Sequence, residues 1–313
     1  MTRLERIIKT SKPYRYLSAR TKNIFPPGFQ GASLYQVMHF FKSQVKRVGL
    51  NERARSISFS FLMAIPAATL FICTLIPYLP ISRKLSRQLL LLTREITPNQ
   101  NTYTLVSNFL NDFLNKPHNG LLSFGFLIAL FYASNAMLGL MRSFNRSLHL
   151  PGDRGFLHNR WVALRLTLVI MLLVLGTAIL LVTQDELLRF IFKEFHIRNN
   201  SMRGVLKSVR WVVIIPLFYF AIAFIYYWAP DLKEKWRIYS PGTLLATTLM
   251  IITTFAFSFW VNKFGTYNKI YGSIGTIMIL MILIHLNSLI LLIGHELNVS
   301  IHSLKSGSGK PKS

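Results

Sequence analysis

One acidic side chain stands where acids are scarce. Glu296 lies in Gly294-His-Glu-Leu-Asn298, at the end of the last long apolar run. Carboxylates at the edge of membrane-length segments are costly to bury and commonly mark pathways or contacts. Glu296 could serve as a polar gate, touch a lipid headgroup, or accept hydrogen bonds from a neighbouring helix end. His285, His295 and His302 share its segment, and the last two, seven residues apart, fall on one helical face. A zinc peptidase would need two histidines one turn apart with a glutamate between them, and a third ligand. Neither condition is met, so no metal and no cofactor are expected. No Gly-x-Ser-x-Gly elbow and no phosphate-cradling glycine loop ending in Lys-Ser/Thr occurs. The 11 acidic residues are scattered, which speaks against the carboxylate cluster a metal-dependent nuclease needs.

A second polar concentration runs from Val261 to Gly275, between the last two apolar runs. Asn262, Tyr267, Asn268 and Tyr271 offer donors and aromatic faces to a polar headgroup. Lys263 and Lys269 offer charge to a phosphate. The alternative is a tight re-entry turn, after which Gly272 and Gly275 let the last helix approach a neighbour. Ser134-Asn135 and Asn287-Ser288 are polar pairs inside apolar runs, suited to pairing across helices or lining a cavity.

These residues need a membrane around them. The 313 residues are 51% hydrophobic, and only 15% are Asp, Glu, Lys or Arg, against about 25% in soluble domains. The formal net charge is +25. With so apolar a chain, that excess points to anionic lipid headgroups rather than nucleic acid. The expected fold is an all-α integral membrane protein. Its six transmembrane helices are expected at Ile57–Leu79, Leu121–Met141, Trp161–Thr183, Trp211–Ala229, Gly242–Val261 and Ile274–Gly294. Pro66 and Pro77 in the first and Pro216 in the fourth imply kinks. Tyr226, Tyr227 and Trp228 close the fourth like an interfacial belt. Lone Cys73 reads as a packed thiol, and the polar first 55 residues leave insertion to the first span. Residues 1–55 form a basic N-terminal region, 56–303 the bundle and 304–313 a flexible tail. Residues 33–48 place Leu34, Val37, Phe41, Val45 and Val48 at helical spacing among Lys42, Lys46 and Arg47. That pattern fits a helix on the membrane surface, or one packed on the bundle's end. Residues 82–115 and 185–207 are expected to form amphipathic helices in the outer loops.

In order along the chain, several segments form a pattern: Asp153-Arg-Gly-Phe-Leu-His-Asn-Arg160, Tyr226-Tyr-Trp-Ala-Pro230, Trp236-Arg, Pro241-Gly-Thr-Leu-Leu-Ala246, the Asn262–Gly275 stretch and Gly294-His-Glu-Leu-Asn298. Together they resemble the YihY/virulence factor BrkB family, over roughly residues 30–303. The resemblance implies a six-helix bacterial inner-membrane protein of a family once mislabelled ribonuclease BN and associated with the cell envelope. It carries no established catalytic residues. His295 departs from the family's usual small residue at that position.

The function expected is translocation or transport of lipid or another amphiphilic molecule, without an ATPase of its own. The alternative is a non-transporting envelope scaffold, and a membrane enzyme fits worst. Expected partners are anionic membrane lipids and further copies of the chain. A cavity lined by Ser134, Asn135, Asn287 and Tyr267 would favour transport, and a solid bundle a scaffold. Lys and Arg number 22 on the side holding both termini and 13 on the other, which places the termini in the cytoplasm. Cysteines introduced at Thr10 and Ser308 should therefore be shielded from an impermeant thiol reagent added outside, and one at Asn199 labelled. Outside labelling at Thr10 would reverse the topology.

Overall fold

The computed structural model describes residues 24–75, 119–148, 154–194, 200–232, 235–263 and 266–305, with isolated positions at 22, 90, 104, 107, 108 and 111. At 46–48, 70, 72–74, 119, 121, 122, 178–194, 200–213, 262, 263 and 266–277 the backbone alone is described. Seven helices make up the described fold: α1 (Leu34–Val48), α2 (Leu50–Leu75), α3 (Asn119–Asn145), α4 (Phe156–Glu194), α5 (Asn200–Trp228), α6 (Pro241–Lys263) and α7 (Thr266–Lys305). No strand occurs among the described residues.

Local chemistry sets the boundaries. Ser33 and Gln36 form a capping box, each side chain accepting from the other's backbone N–H, so α1 starts where the spacing predicts. Gly49, with φ +63°, takes the left-handed conformation that ends α1 and lets α2 begin at once. Ser240 caps α6 ahead of Pro241, which fills the first helical position where a missing N–H costs nothing. Pro66 and Pro216 lie inside continuous helices.

Two expectations change. Residues 185–207 do not form separate amphipathic helices. α4 runs unbroken to Glu194 and α5 starts at Asn200, with 195–199 outside the described residues. At 39 residues α4 is about 58 Å long, well beyond a hydrocarbon core of about 30 Å. The re-entry turn expected within Val261–Gly275 is confined to two residues, because α6 continues to Lys263 and α7 begins at Thr266. Most of 82–115 lies outside the described residues, as do Pro77 and 306–313; at Cys73 the side chain does too. The six expected spans fall on α2–α7. Four described segments are long and apolar enough to cross a membrane: Ser123–Asn145, Phe156–Thr177, Pro241–Val261 and Met278–Lys305. Ile214–Trp228 is a shorter apolar helix.

Each helix from α2 to α7 packs on the next, and α7 closes the circuit on α2. α1 lies outside this ring against the end of α7, where Val37 is buried with Phe29, Leu297 and Ile301. Its apolar stripe is thus covered by the bundle. The ring's core is concentrated at one end: Phe144, Tyr226, Trp236, Ala246 and Leu292 belong to one buried cluster. Away from it the packing changes. No side chain is buried over 168–177, 214–221, 251–261 or 278–287. α2 and α3 stay together there through Ala67, Phe71 and Ala129, with Met171 and Leu175 of α4 against them.

The tight end depends on a glycine crossing. A Cβ on Gly294 would stand 2.6 Å from the Gly242 carbonyl oxygen, and one on Gly242 would overlap that of Gly294. Small residues let membrane helices approach to this distance. Gly242→Ala should therefore lower the yield of folded, monodisperse protein in detergent. Gly176→Ala, where nothing lies within 4 Å, should not. Equal behaviour of the two variants would remove the crossing from the account.

Candidate functional site: a buried charge cluster at the closed end

Glu296 sits at the centre of the packed end, completely buried. Arg53, from the second turn of α2, donates from Nη1 to Glu296 Oε1 at 2.8 Å, and its side chain is only 2% exposed. The same oxygen accepts from Ser147 Oγ in the turn after α3. Arg53 Nη2 donates to the Ser143 carbonyl. One carboxylate thus ties α2, the end of α3 and α7 together. Glu296 Oε2 and Arg53 Nε find no hydrogen-bond partner among the described residues. His285 meets Asn51 at 3.1 Å, so the first turn of α2 lies against the middle of α7 and Arg53 reaches along α7 to Glu296.

His295 fills the space beside the pair. Its ring stacks on Phe144 with centroids 4.0 Å apart and planes 14° from parallel. Tyr226 and Trp236 approach the same ring. His295 Nδ1 is 4.0 Å from Glu296 Oε1, too far for a hydrogen bond. It works here as a flat, tightly packed filler where the resemblance expects a small side chain. Tyr226 donates to the Leu291 carbonyl at 2.7 Å. Asn298 joins α7 to α6, accepting from Gly242 N–H and donating to Ser240, both at 2.9 Å.

A second ion pair closes the rim. Arg154 Nε lies 3.0 Å from Asp231 Oδ1, and Arg154 also donates to the Trp228 carbonyl at the end of α5. A cation at a helix C-terminus satisfies orphan carbonyls and complements the dipole. Asp231 N–H in turn donates to Asn145 at the end of α3.

Of the other residues singled out in the sequence, Ser134 is buried but donates within its own helix, to Phe131. Asn135 accepts from Arg160 Nη1 at 2.5 Å, on the face of α3 away from the core. Asn287 is half-buried on α7, with Oδ1 unpartnered among the described residues. Asn262, Tyr267, Asn268, Lys269, Tyr271, Gly272 and Gly275 lie on helical backbone with side chains outside the described residues. Ser134, Asn135 and Asn287 therefore do not converge on one cavity. Arg53 is the residue that sequence reasoning missed. It stands four residues ahead of the first apolar run, among basic residues, and its acid partner is 243 positions away. Among the described residues, no three His, Cys, Asp or Glu side chains are grouped to hold a metal.

A ring of long apolar helices, sealed at one end by a buried ion pair and a glycine crossing, defines a multi-helix integral membrane protein. The chain belongs to the virulence factor BrkB family, matching it over residues 41–313. It is 31% identical over 271 residues to a putative ribonuclease-like protein, YfkH, of Bacillus subtilis, covering 86% of this chain and 97% of that one. It is 32% identical over 115 residues to a UPF0761 membrane protein of Idiomarina loihiensis (37% of this chain, 40% of that one). A UPF0761 membrane protein of Vibrio cholerae is 30% identical over 104 residues, covering 33% and 35%. No solved structure matches.

Removing one partner of a buried pair leaves an uncompensated charge, which costs about 3–5 kcal/mol. Glu296→Gln or Arg53→Met should each lower thermal stability in detergent strongly. The double variant Arg53→Met/Glu296→Leu should recover much of that loss. A double variant as unstable as the sum of the singles would show that the pair is not what holds this end.

Proposed function

We propose that the chain lets an amphiphilic molecule, most simply an anionic membrane lipid, pass across or along the bundle, without an ATPase of its own. The observation that carries this reading is the loss of cover along α6. Thr243, Thr247, Met250 and Thr254 fall on one helical face. The first three are buried and Thr254 is exposed. Beyond Met250, Thr254, Phe255, Ala256, Ser258, Phe259 and Trp260 are all exposed, and Ile251, Thr253, Phe257 and Val261 are no more than half-buried. A helix in a solid bundle keeps an apolar stripe buried along its length. In this reading the exposed Thr254 and Ser258 border a path for the substrate rather than a packed neighbour.

Thr254 and Ser258 give that path hydroxyl character without charge, which suits a molecule with both polar and apolar parts. The Arg53–Glu296 end is its closed mouth and faces the cytoplasm, as the charge count orients it. The start of α7 is its far mouth. There Tyr267, Asn268, Lys269 and Tyr271, with Asn262 of α6, would meet the headgroup. Lysine attracts phosphate as a point charge, and tyrosine suits the headgroup boundary. The setting proposed is the bacterial inner membrane, with no nucleic acid partner.

Liposomes carrying the purified chain and a fluorescent phospholipid test this directly. Protein should accelerate movement between leaflets, and Tyr267→Ala and Lys269→Ala should slow it with protein still folded. Gly272→Leu should damage folding instead. Identical rates with and without protein would refute translocation and leave the scaffold reading.

A further inference from the structure

The outer side of the α2–α3 pair carries a groove of about 690 Å³. Its walls are Ser56 and Ser60 of α2 and Asn135, Arg142 and Arg146 of α3, with Arg53 at its base. Asn135, Arg142 and Arg146 lie on the side of α3 opposite Leu140 and Phe144, so the groove faces away from the core. Asn135 and Arg142 lie within the membrane-length segment Ser123–Asn145. Asn135 is met by Arg160 of α4, but Arg142, turned outward from such a segment, is costly unless something satisfies it.

The lining is also unbalanced in charge. Three guanidinium groups face one carboxylate, Glu52. Glu296 engages the Nη1 of Arg53 from the other side. Arg53 Nε is left over: it belongs to a side chain only 2% exposed and has no hydrogen-bond partner among the described residues. Arg142 and Arg146 are exposed and make no side-chain hydrogen bond or ion pair there. The Ser60 hydroxyl donates within its own helix, to the Ser56 carbonyl, which leaves the Ser56 hydroxyl, the Asn135 amide N–H groups and the arginine N–H groups as a donor set for an oxyanion; guanidinium matches phosphate geometry in particular.

We propose that this groove binds the phosphate headgroup of an anionic phospholipid, its acyl chains lying along the outer face of α2 and α3. Occupancy would bring a partner to Arg53 Nε from outside while Glu296 holds the guanidinium from inside. The ligand would thus brace the pair that closes the bundle. The inference does not depend on translocation, because α2 and α3 alone line the groove, whereas the proposed path runs beside α6.

Native mass spectrometry of the full chain in detergent, titrated with phosphatidylglycerol, tests it. Arg142→Gln/Arg146→Gln removes two exposed cations and should leave the fold intact, which a thermal melt checks. Bound phosphatidylglycerol should weaken by about tenfold or more, as expected for lost hydrogen bonds to a charged group. Lys42→Gln, an exposed cation on α1, should bind as the wild type does. Equal weakening in both variants would reduce the effect to general surface charge and overturn the site. Inorganic phosphate at millimolar concentration should not displace the lipid; displacement would assign the groove to free phosphate. If the double variant keeps its lipid and a wild-type dimer becomes monomeric, the groove is a contact between copies and the proposal falls.

Discussion

The pairing of Arg53 with Glu296 is the constraint on which the packed end rests. Glu296 is fully buried, and a carboxylate placed there alone would be driven to neutralise or to pull in water. The guanidinium and the Ser147 hydroxyl satisfy one of its oxygens. Three parts of the chain must come together to do so. Because a single glycine, Gly49, joins the end of α1 to the start of α2, fixing Arg53 also fixes where α1 lands on α7. The glycine crossing of α6 and α7 then sits two residues from Glu296, close enough that neither feature can shift without the other.

Buried ion pairs are poor sources of net stability, since desolvation offsets most of their attraction. Their persistence in a bundle otherwise built from apolar contacts therefore asks for a reason beyond stability. A pair of this kind specifies one arrangement of helices over others that apolar packing would tolerate equally. It also provides a point at which an arrangement can be released. Among the described residues Glu296 Oε2 and Arg53 Nε have no hydrogen-bond partner, so the cluster is only partly saturated there. Such a cluster suits a closed mouth better than a permanent rivet.

Much of the architecture was legible in the sequence because hydropathy over membrane-length runs is a strong signal, and the capped helix at 33–48 appears with its predicted start. The glycine, histidine and acid of Gly294-His-Glu-Leu-Asn298 were also recognisable as special. The partner of Glu296 was not. Arg53 sits among basic residues that read equally well as topology determinants, and no local pattern reports a contact across 243 positions. Asn135 pairs across helices with Arg160 of α4, one of the two roles its type allowed; which of the two could not be read, because one residue's step on a helix moves a side chain by about 100°. The density of Gly, Asn, Ser and Tyr before the last span suggested a turn. Backbone propensity gave way there to continuation of α7, whose 40 residues run past any single bilayer crossing.

In the proposed function the bundle is closed at the Arg53–Glu296 end, and the stripe of α6 that is buried there loses its cover beyond Met250. Cysteine accessibility on that one face of α6 measures it, in a Cys73→Ala background reconstituted into liposomes. Thr247→Cys and Thr254→Cys lie two turns apart on the same stripe. A small water-soluble thiol reagent should modify Thr254→Cys readily and leave Thr247→Cys unreacted until the protein is unfolded. Equal protection of both positions would mean that the stripe is buried along its whole length, and the bundle would be solid.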